Sequence, residues 1–158
     1  MDWTSIFQWF SNTWAAKVIA DSIWLFPAIE AIHIVALTVL VGAILFLDLQ
    51  MLGLVRRDTP VGTLADDLDP WLFSSLVIIL FSGLLLFSSE AMKLLISGPF
   101  KLKMIALLLA IVFHFTIQRW VIRADAERSR PAWNRVTATI SILLWLTVGF
   151  SGRAIGFF

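Results

Sequence analysis

Four long runs of apolar residues constrain most strongly what this chain can fold into. They cover about residues 22–47, 71–88, 102–122 and 136–158. A bilayer core about 30 Å thick needs roughly 20 mostly apolar residues per helix, and the runs are close to that length. They are apolar on all sides and too long for the alternating segments of a membrane β-barrel. We therefore predict an all-α fold in which four helices form an integral membrane bundle.

The composition supports a membrane environment and excludes other classes of protein. Hydrophobic residues make up 59% and charged residues 15% of the chain, against about 45–50% and 25% in average soluble domains. This excludes a soluble enzyme and a disordered protein. The 12 basic and 11 acidic residues give a formal charge of +1, so no nucleic-acid partner is expected. Without Cys the chain has no disulfide or thiolate metal site.

Residues 1–20 follow a different pattern from the apolar runs. Large apolar side chains recur there at steps of three and four residues, namely Trp3, Ile6, Phe7, Phe10, Trp14 and Val18. This spacing predicts an amphipathic helix that lies in the membrane interface. A hydrophobic tail docked on the bundle is the alternative. A cleaved signal peptide is not expected, because the N-terminus carries Asp2 and no small-residue cleavage site follows. We therefore divide the chain into an interfacial helix, 1–20, and a bundle, 21–158.

The distribution of basic residues predicts the orientation. With four spans, both termini and the loop between spans two and three share one side, here called side A. Side B holds seven Lys and Arg residues and side A holds five. The positive-inside rule then places side B in the cytoplasm and both termini in the periplasm, with the bacterial inner membrane as the location. Gly152 and Gly156 have the spacing of a close helix contact, which suggests a homo-oligomer.

Both histidines of the chain fall inside predicted spans. His33 lies eleven residues after Ser22, and His114 lies twelve residues after Leu102. Because spans one and three both start on side A, a rise of 1.5 Å per residue puts the two rings at about the same depth, ~17–18 Å from that surface. Two imidazoles facing each other across a four-helix bundle are typical ligands of a b-type haem. We predict His33 and His114 as the metal ligands of one haem b.

Charged residues on the side-A flank fit the same site. Lys103 lies on the His114 face about three turns nearer side A, and Arg153 lies at the side-A end of span four. Both are predicted to neutralise haem propionates. Glu30, three residues before His33, is predicted to accept a proton, to pair with one of these cations or to orient His33. Three alternatives stay open: each His serves as an interhelical hydrogen-bonding group, Lys103 snorkels to the interface, and Arg153 snorkels or neutralises the C-terminal carboxylate.

Two stretches resemble a known superfamily. They are the segment from Ala31-Ile32-His33-Ile34-Val35 to Gly42, and Lys101-Leu102-Lys103 with the later His114. They resemble the membrane-embedded, haem-containing protoporphyrinogen oxidase family and the related copper-resistance D-type membrane proteins. The resemblance implies functional roles for His33, Lys103 and His114. The chain departs from that family after Gly42, where Phe46-Leu47-Asp48-Leu49-Gln50 replaces a run containing Pro and Arg.

The chain also resembles a bacterial family of four-span proteins with no assigned function. This resemblance covers most of the chain and is carried by Glu30-x-x-His33, Asp48-Leu49, Leu52-Gly53, Phe100-x-x-Lys103 and Gly152-Arg153. It brings no activity with it. It implies that one constellation contains Glu30, His33, Asp48, Lys103 and Arg153.

Three functions are compatible with these features. The first is a b-type cytochrome that transfers electrons in the bacterial inner membrane, with a quinone or a redox protein as partner. The second is a membrane oxidoreductase, a haem-dependent porphyrinogen or quinol oxidase in which Lys103 and Glu30 handle substrate carboxylates and protons. The third needs no haem and is a copper or proton pathway or a scaffold subunit. An absorption spectrum and metal analysis would separate them.

Overall fold

Helices account for nearly all of the chain that can be described. The computed structural model describes residues 3–55, 58–128 and 131–157. Its helices are α1 (Trp3–Ser11), α2 (Trp14–Asp21), α3 (Leu25–Met51), α4 (Val61–Ile96), α5 (Gly98–Phe113), a π-helix (His114–Gln118), α6 (Arg119–Arg128), α7 (Pro131–Ala154) and a 3-10 turn (Ile155–Phe157). No strand occurs in the described ranges, which confirms the all-α prediction.

Four of these helical segments are long and apolar enough to cross a membrane. They are Leu25–Met51, Val61–Ile96, Gly98–Ala124 and Ala132–Ala154. The third comprises α5, the π-helix and the start of α6, which together form one continuous segment. The chain is therefore a multi-pass membrane protein built as a helical bundle.

The core of the bundle fixes the register between helices. A stripe on α3 at steps of three and four is buried and consists of Ala36, Leu40, Ile44, Leu47 and Met51. Leu40 and Ile44 form one hydrophobic cluster with Leu72 and Leu76 of α4. The closest packing partners are α3 with α4 and α5 with α7, while α7 also contacts α3. Large apolar side chains on the outer faces are exposed, as expected for a surface that contacts lipid.

Helix α4 is much longer than the second predicted span. The prediction starts this span at Trp71, whereas α4 begins at Val61 and passes through Pro70. The segment before Pro70 is therefore helical, and Asp66 and Asp67 are exposed on the helix surface. Pro70 is the tenth residue of α4, and because it has no backbone N–H the carbonyl of Asp66 loses its i→i−4 hydrogen bond. At the other end α4 reaches Ile96, with a break in helical geometry at Glu90 (φ −121°, ψ 21°).

The N-terminal segment forms two helices where the sequence predicts one. Asn12 and Thr13 separate them. Thr13 caps α2, because its hydroxyl accepts a hydrogen bond from the Ala16 amide at 3.3 Å. Both helices pack on α4. Phe7 and Phe10 contact Phe87 edge-on, with centroids 5.1 and 5.3 Å apart, and Phe87 stacks on Phe100 at 5.6 Å. The segment is thus docked against the side-A end of the bundle, and its interfacial location stays a prediction.

Candidate functional site

The two histidine rings lie at different depths, so the prediction of equal depth is wrong. The His33 Nδ1 atom lies 2.8 Å from the Ser82 Oγ atom of α4. His114, in contrast, lines a cavity together with Leu40 and Ile44. Leu40 and Ile44 follow His33 on α3 by seven and eleven residues, which is about 10 and 16 Å along the helix. The two rings are therefore on separate levels of the bundle.

The difference comes from the points at which the helices begin. The predicted depths count from Ser22 and Leu102, but the helices begin at Leu25 and Gly98. Lys103 therefore lies within α5 and is not at the start of the span. Counted from these starts, His33 lies eight residues into its helix and His114 sixteen residues into its segment, which is a difference of about 12 Å along the helix axes.

The residues present do not fit a haem held by both histidines. Such a haem needs two imidazoles on opposite sides of one ring, and the helix register separates these two by roughly 10–16 Å. The cavity beside His114 has a volume of about 10 Å³, which is roughly what one water molecule needs, so it has no room for a porphyrin. Within the described residues no group of three or more His, Cys, Asp or Glu side chains is placed to hold a metal ion.

His114 belongs to a buried chain of hydrogen bonds that crosses three side chains. The His114 Nδ1 atom lies 2.9 Å from the Gln118 Oε1 atom. The Gln118 amide nitrogen donates to the Asp48 Oδ1 atom at 2.7 Å, and the Ser141 hydroxyl lies 3.4 Å from Gln118 Oε1. Asp48 and Gln118 are 0% exposed and His114 is 4% exposed. We call Asp48, Gln118 and His114 the buried relay.

The chemistry of the buried relay fixes the tautomer of His114. The amide NH₂ of Gln118 faces Asp48 and donates to its Oδ1 atom, because an NH₂ group only donates and a carboxyl oxygen accepts. The amide oxygen then faces His114 and accepts from its Nδ1–H group. The proton of the neutral imidazole is therefore on Nδ1, and Nε2 carries a free lone pair.

Each end of the buried relay has an acceptor atom without a partner. Among the described residues, neither Asp48 Oδ2 nor His114 Nε2 has a hydrogen-bond donor. Leaving a buried polar atom unpaired costs about 1–3 kcal/mol, and such exceptions in folded proteins often have a functional reason. The His114 ring borders an apolar cavity lined also by Leu40, Ile44, Leu72, Leu76, Ile111, Phe115 and Trp145. The relay is thus able to accept a proton or a donor group.

A π-helix positions His114 and Gln118 on the same side of their helix. Residues four apart drift by about 40° at each step around an α-helix. The wider π turn, His114–Gln118, compensates for this drift, so that Ala110, His114, Gln118 and Ile122 are all buried. Such turns occur frequently at functional sites. Gln118 is not among the residues predicted from the sequence. The four-residue spacing of Ala110, His114, Gln118 and Ile122 would have indicated that it points inward.

An ion pair connects the cavity to side B. Arg119 donates to the Asp69 carboxylate at 2.5 Å, and their side chains are 31% and 32% exposed. The guanidinium also lies 5.3 Å from the centre of the Phe115 ring. Phe115 lines the cavity and meets the His114 ring edge-on at 5.0 Å. The pair, which sequence reasoning did not single out, therefore covers the side-B flank of the cavity.

The predicted side-A residues are brought together only in part. A Cβ atom built on Gly152 would lie 3.5 Å from the Lys103 Nζ atom, which places the ammonium against α7. Glu30 is exposed, and in the described ranges it forms no ion pair with Lys103 or Arg153. Arg153 is also exposed. The single constellation implied by the sequence is therefore divided into a side-A group and the deeper buried relay, which contains Asp48.

The chain belongs to the family DUF6644, described as a family of unknown function, which it matches over residues 4–158. No curated protein and no solved structure matches the chain.

Proposed function

We propose that this membrane protein binds a small, lipid-soluble ligand that carries a hydroxyl group and exchanges the hydroxyl proton with His114. The observation that carries the proposal is the buried relay. It presents an unpaired imidazole nitrogen in a ring that borders an apolar cavity. An ionisable side chain inside a membrane span is costly and marks a functional site by default.

The ligand class follows from the lining of the cavity. Aliphatic and aromatic side chains line the cavity. Its volume of about 10 Å³ admits about one water-sized group, so the hydroxyl group enters the cavity and the apolar ring of the ligand stays at its mouth. The free Nε2 atom accepts a hydrogen bond, so it favours a ligand with an O–H donor. A phenol or a hydroquinone combines both features. Quinols are therefore the natural lipid-soluble candidates.

The buried relay also stabilises the positive charge that proton transfer creates on His114. When the ligand proton moves to Nε2, the O–H bond breaks, the ligand oxygen becomes negative and the imidazole becomes positive. The Nδ1–H group continues to donate to Gln118, whose amide is anchored on the Asp48 carboxylate. A buried cation next to such an acceptor chain is less costly than an isolated one. The partly exposed Arg119–Asp69 pair then gives the proton its nearest contact with water on side B.

A pair of matched probes tests this proposal. We expect 4-fluorophenol to bind the protein in nanodiscs about 5- to 10-fold more tightly than 4-fluorotoluene, because a net hydrogen bond contributes about 1–1.5 kcal/mol. Fluorine NMR, with protein-free nanodiscs as the blank, measures both affinities. The variant His114→Leu should lose the preference, and His33→Leu, on the other level, should keep it. Equal affinities in the unmodified protein would contradict the proposal.

The cytochrome hypothesis is a second candidate, favoured by one observation. Metal-bound histidines usually donate their other N–H group to an acceptor, as His114 does to Gln118. If a haem is bound, His114 is therefore the better ligand of the two. A reduced-minus-oxidised spectrum of protein from haem-replete cells tests this. A Soret band that His114→Leu removes and His33→Leu retains would support it, and a spectrum without this band would exclude it.

A further inference from the structure

We propose that Asp48 is a proton-binding site, which holds a proton on its Oδ2 atom at neutral pH and exchanges it with side B. The site is the end of the buried relay opposite to His114. It does not depend on the ligand proposed for His114, because the proton binds whether or not that cavity is occupied. Its parts are the Asp48 carboxyl group on α3 and a row of buried polar side chains on α7.

The carboxyl group of Asp48 has too few hydrogen-bond donors around it for a charged carboxylate. The side chain is 0% exposed, so bulk water does not solvate it. The Oδ1 atom accepts from the Gln118 amide at 2.7 Å, while the Oδ2 atom has no donor among the described residues. A buried charge is tolerated only if it is paired and its lone pairs are satisfied. A proton on Oδ2 removes the charge and leaves Oδ1 free to accept from Gln118.

In the part of the chain that the structure describes, no cation is paired with Asp48. Arg119 is paired with Asp69, and the His114 ring is separated from Asp48 by the Gln118 amide. Helices α4, α6 and α7 pack against the side-B half of α3. Their other described charged side chains in this half are exposed, namely Asp66, Asp67, Arg123 and Arg135. A proton is therefore what balances the charge of Asp48.

The position of Asp48 along its helix selects side B. Asp48 lies three residues before Met51, the last residue of α3, which is about 4.5 Å along the helix axis. Toward side A an apolar layer of the core follows, formed by the buried residues Ala36, Leu40, Ile79, Ala106 and Ala110. Moving a charge through such a layer is costly. The proton therefore reaches Asp48 from side B.

A row of buried polar side chains on α7 leads from side B to the buried relay. Asn134, Thr137 and Ser141 are buried and follow one another at steps of three and four residues. They therefore lie on one face of the helix, with about 5–6 Å between neighbouring Cβ atoms. Farther toward side A, the buried residues Trp145 and Val148 of α7 are large and apolar. The polar row thus occupies only the side-B half of α7.

Both ends of this row have groups that can exchange a proton with water. At the inner end the Ser141 hydroxyl lies 3.4 Å from Gln118 Oε1, next to Asp48. At the outer end Asn134 lies three residues after the start of α7, and its buried Oδ1 atom has no donor among the described residues. Single waters bridge polar groups at such spacings. On release, the Oδ2–H bond breaks, the carboxylate keeps the electron pair, and water along the row carries the proton to side B.

Infrared spectroscopy observes this proton directly. In dodecyl maltoside, a detergent without a carbonyl group, we expect a C=O stretching band of a protonated carboxylic acid at neutral pH. Both ¹³C-aspartate labelling and D₂O should shift this band to lower wavenumber. Asp48→Asn should lose it, and Asp67→Asn, which changes an exposed carboxylate, should retain it. A retained band in Asp48→Asn would overturn the proposal. If this variant does not fold, the labelled unmodified protein decides, because the absence of a ¹³C-sensitive band overturns the proposal as well.

A second pair of variants tests the exchange with side B. Asn134→Leu removes the outer end of the row, and Ser151→Ala removes a buried hydroxyl near the side-A end of the same helix. We expect the D₂O shift of the band to develop about 10-fold more slowly in Asn134→Leu and at an unchanged rate in Ser151→Ala. If Asn134→Leu does not fold, Thr137→Val provides the same comparison. Exchange in the row variant as fast as in Ser151→Ala would overturn the exchange with side B.

Discussion

At the scale of single residues, Gln118 determines how protons are arranged in the buried relay. Its amide separates an acceptor, Asp48, from a donor, the His114 Nδ1–H group, and it satisfies both. The sequence singled out His114 for its position in a span and Asp48 through a resemblance. It did not single out Gln118, because the role of an uncharged amide in an apolar run depends on its partner, and this partner lies 70 residues away in the sequence.

Replacing Gln118 by Leu should destabilise the protein substantially. Asp48 and His114 would each lose a partner in the core, and a buried polar group without a partner costs about 1–3 kcal/mol. We expect a loss of roughly 2–4 kcal/mol in the free energy of unfolding, measured by denaturant titration in detergent. Thr116→Val is the matched control, since Thr116 lies in the same π turn but is exposed and bonds only the Val112 carbonyl. Similar losses for the two variants would contradict the role of Gln118.

At the scale of helices, the number and nature of the spans could be predicted, but their relative heights could not. Hydropathy marks where a helix is apolar, and it therefore located all four membrane segments. It does not report the register between helices, which is set by side-chain packing such as Leu40 and Ile44 against Leu72 and Leu76. For this reason the predicted depths of His33 and His114 are wrong, although both residues lie in the predicted spans.

The π turn provides a prediction at this scale. A π turn is equivalent to one extra residue in an α-helix, so deleting Ile117 should leave the faces before and after the turn aligned. We expect this deletion variant to fold and to lose the preference for 4-fluorophenol. Deleting Leu108, in regular helix, should rotate everything after it by about 100° and prevent folding. Size-exclusion profiles and thermal unfolding are measured for both variants. If the variant without Leu108 folds and the variant without Ile117 does not, the proposed role of the π turn is wrong.

Two glycines of α4 should respond oppositely to alanine. A Cβ atom on Gly62 would meet no atom within 4 Å, whereas a Cβ atom on Gly83 would lie 3.2 Å from His33 Cε1. Gly62→Ala should raise the free energy of unfolding by roughly 0.5 kcal/mol, because it restricts the unfolded chain. Gly83→Ala should show no such gain, since the His33 ring must move away from Ser82. Denaturant titration of both variants measures the difference, and a larger gain for Gly83→Ala than for Gly62→Ala would be incompatible with the His33 contact.

At the scale of the whole molecule, polar groups occupy two levels separated by an apolar layer. The side-A level contains His33 and Lys103, and the deeper level contains the buried relay and the Arg119–Asp69 pair. Gly152 faces Lys103 of its own chain, so it forms a contact within the bundle. The all-α bundle could be predicted from composition and hydropathy alone, whereas this division could not, because it depends on contacts between all four spans.

The orientation of the bundle can be tested directly because the chain has no Cys. Asp21 precedes α3 on side A and Asp58 precedes α4 on side B, and both side chains are exposed. We expect Asp21→Cys to react with a membrane-impermeant maleimide from the periplasmic side and Asp58→Cys to react only after the membrane is opened. The reverse result would invert the orientation. Labelling of both from one side would contradict the four-span topology.

The most direct test of the buried relay is nitrogen NMR of the protein labelled with ¹⁵N-histidine in lipid. With only two His in the chain, the variant His33→Leu leaves the signals of His114 alone. We predict a protonated Nδ1 and an unprotonated Nε2 for His114, and a loss of this single-tautomer state in Gln118→Leu. A His114 ring with a protonated Nε2 and an unprotonated Nδ1 would contradict the proposed relay.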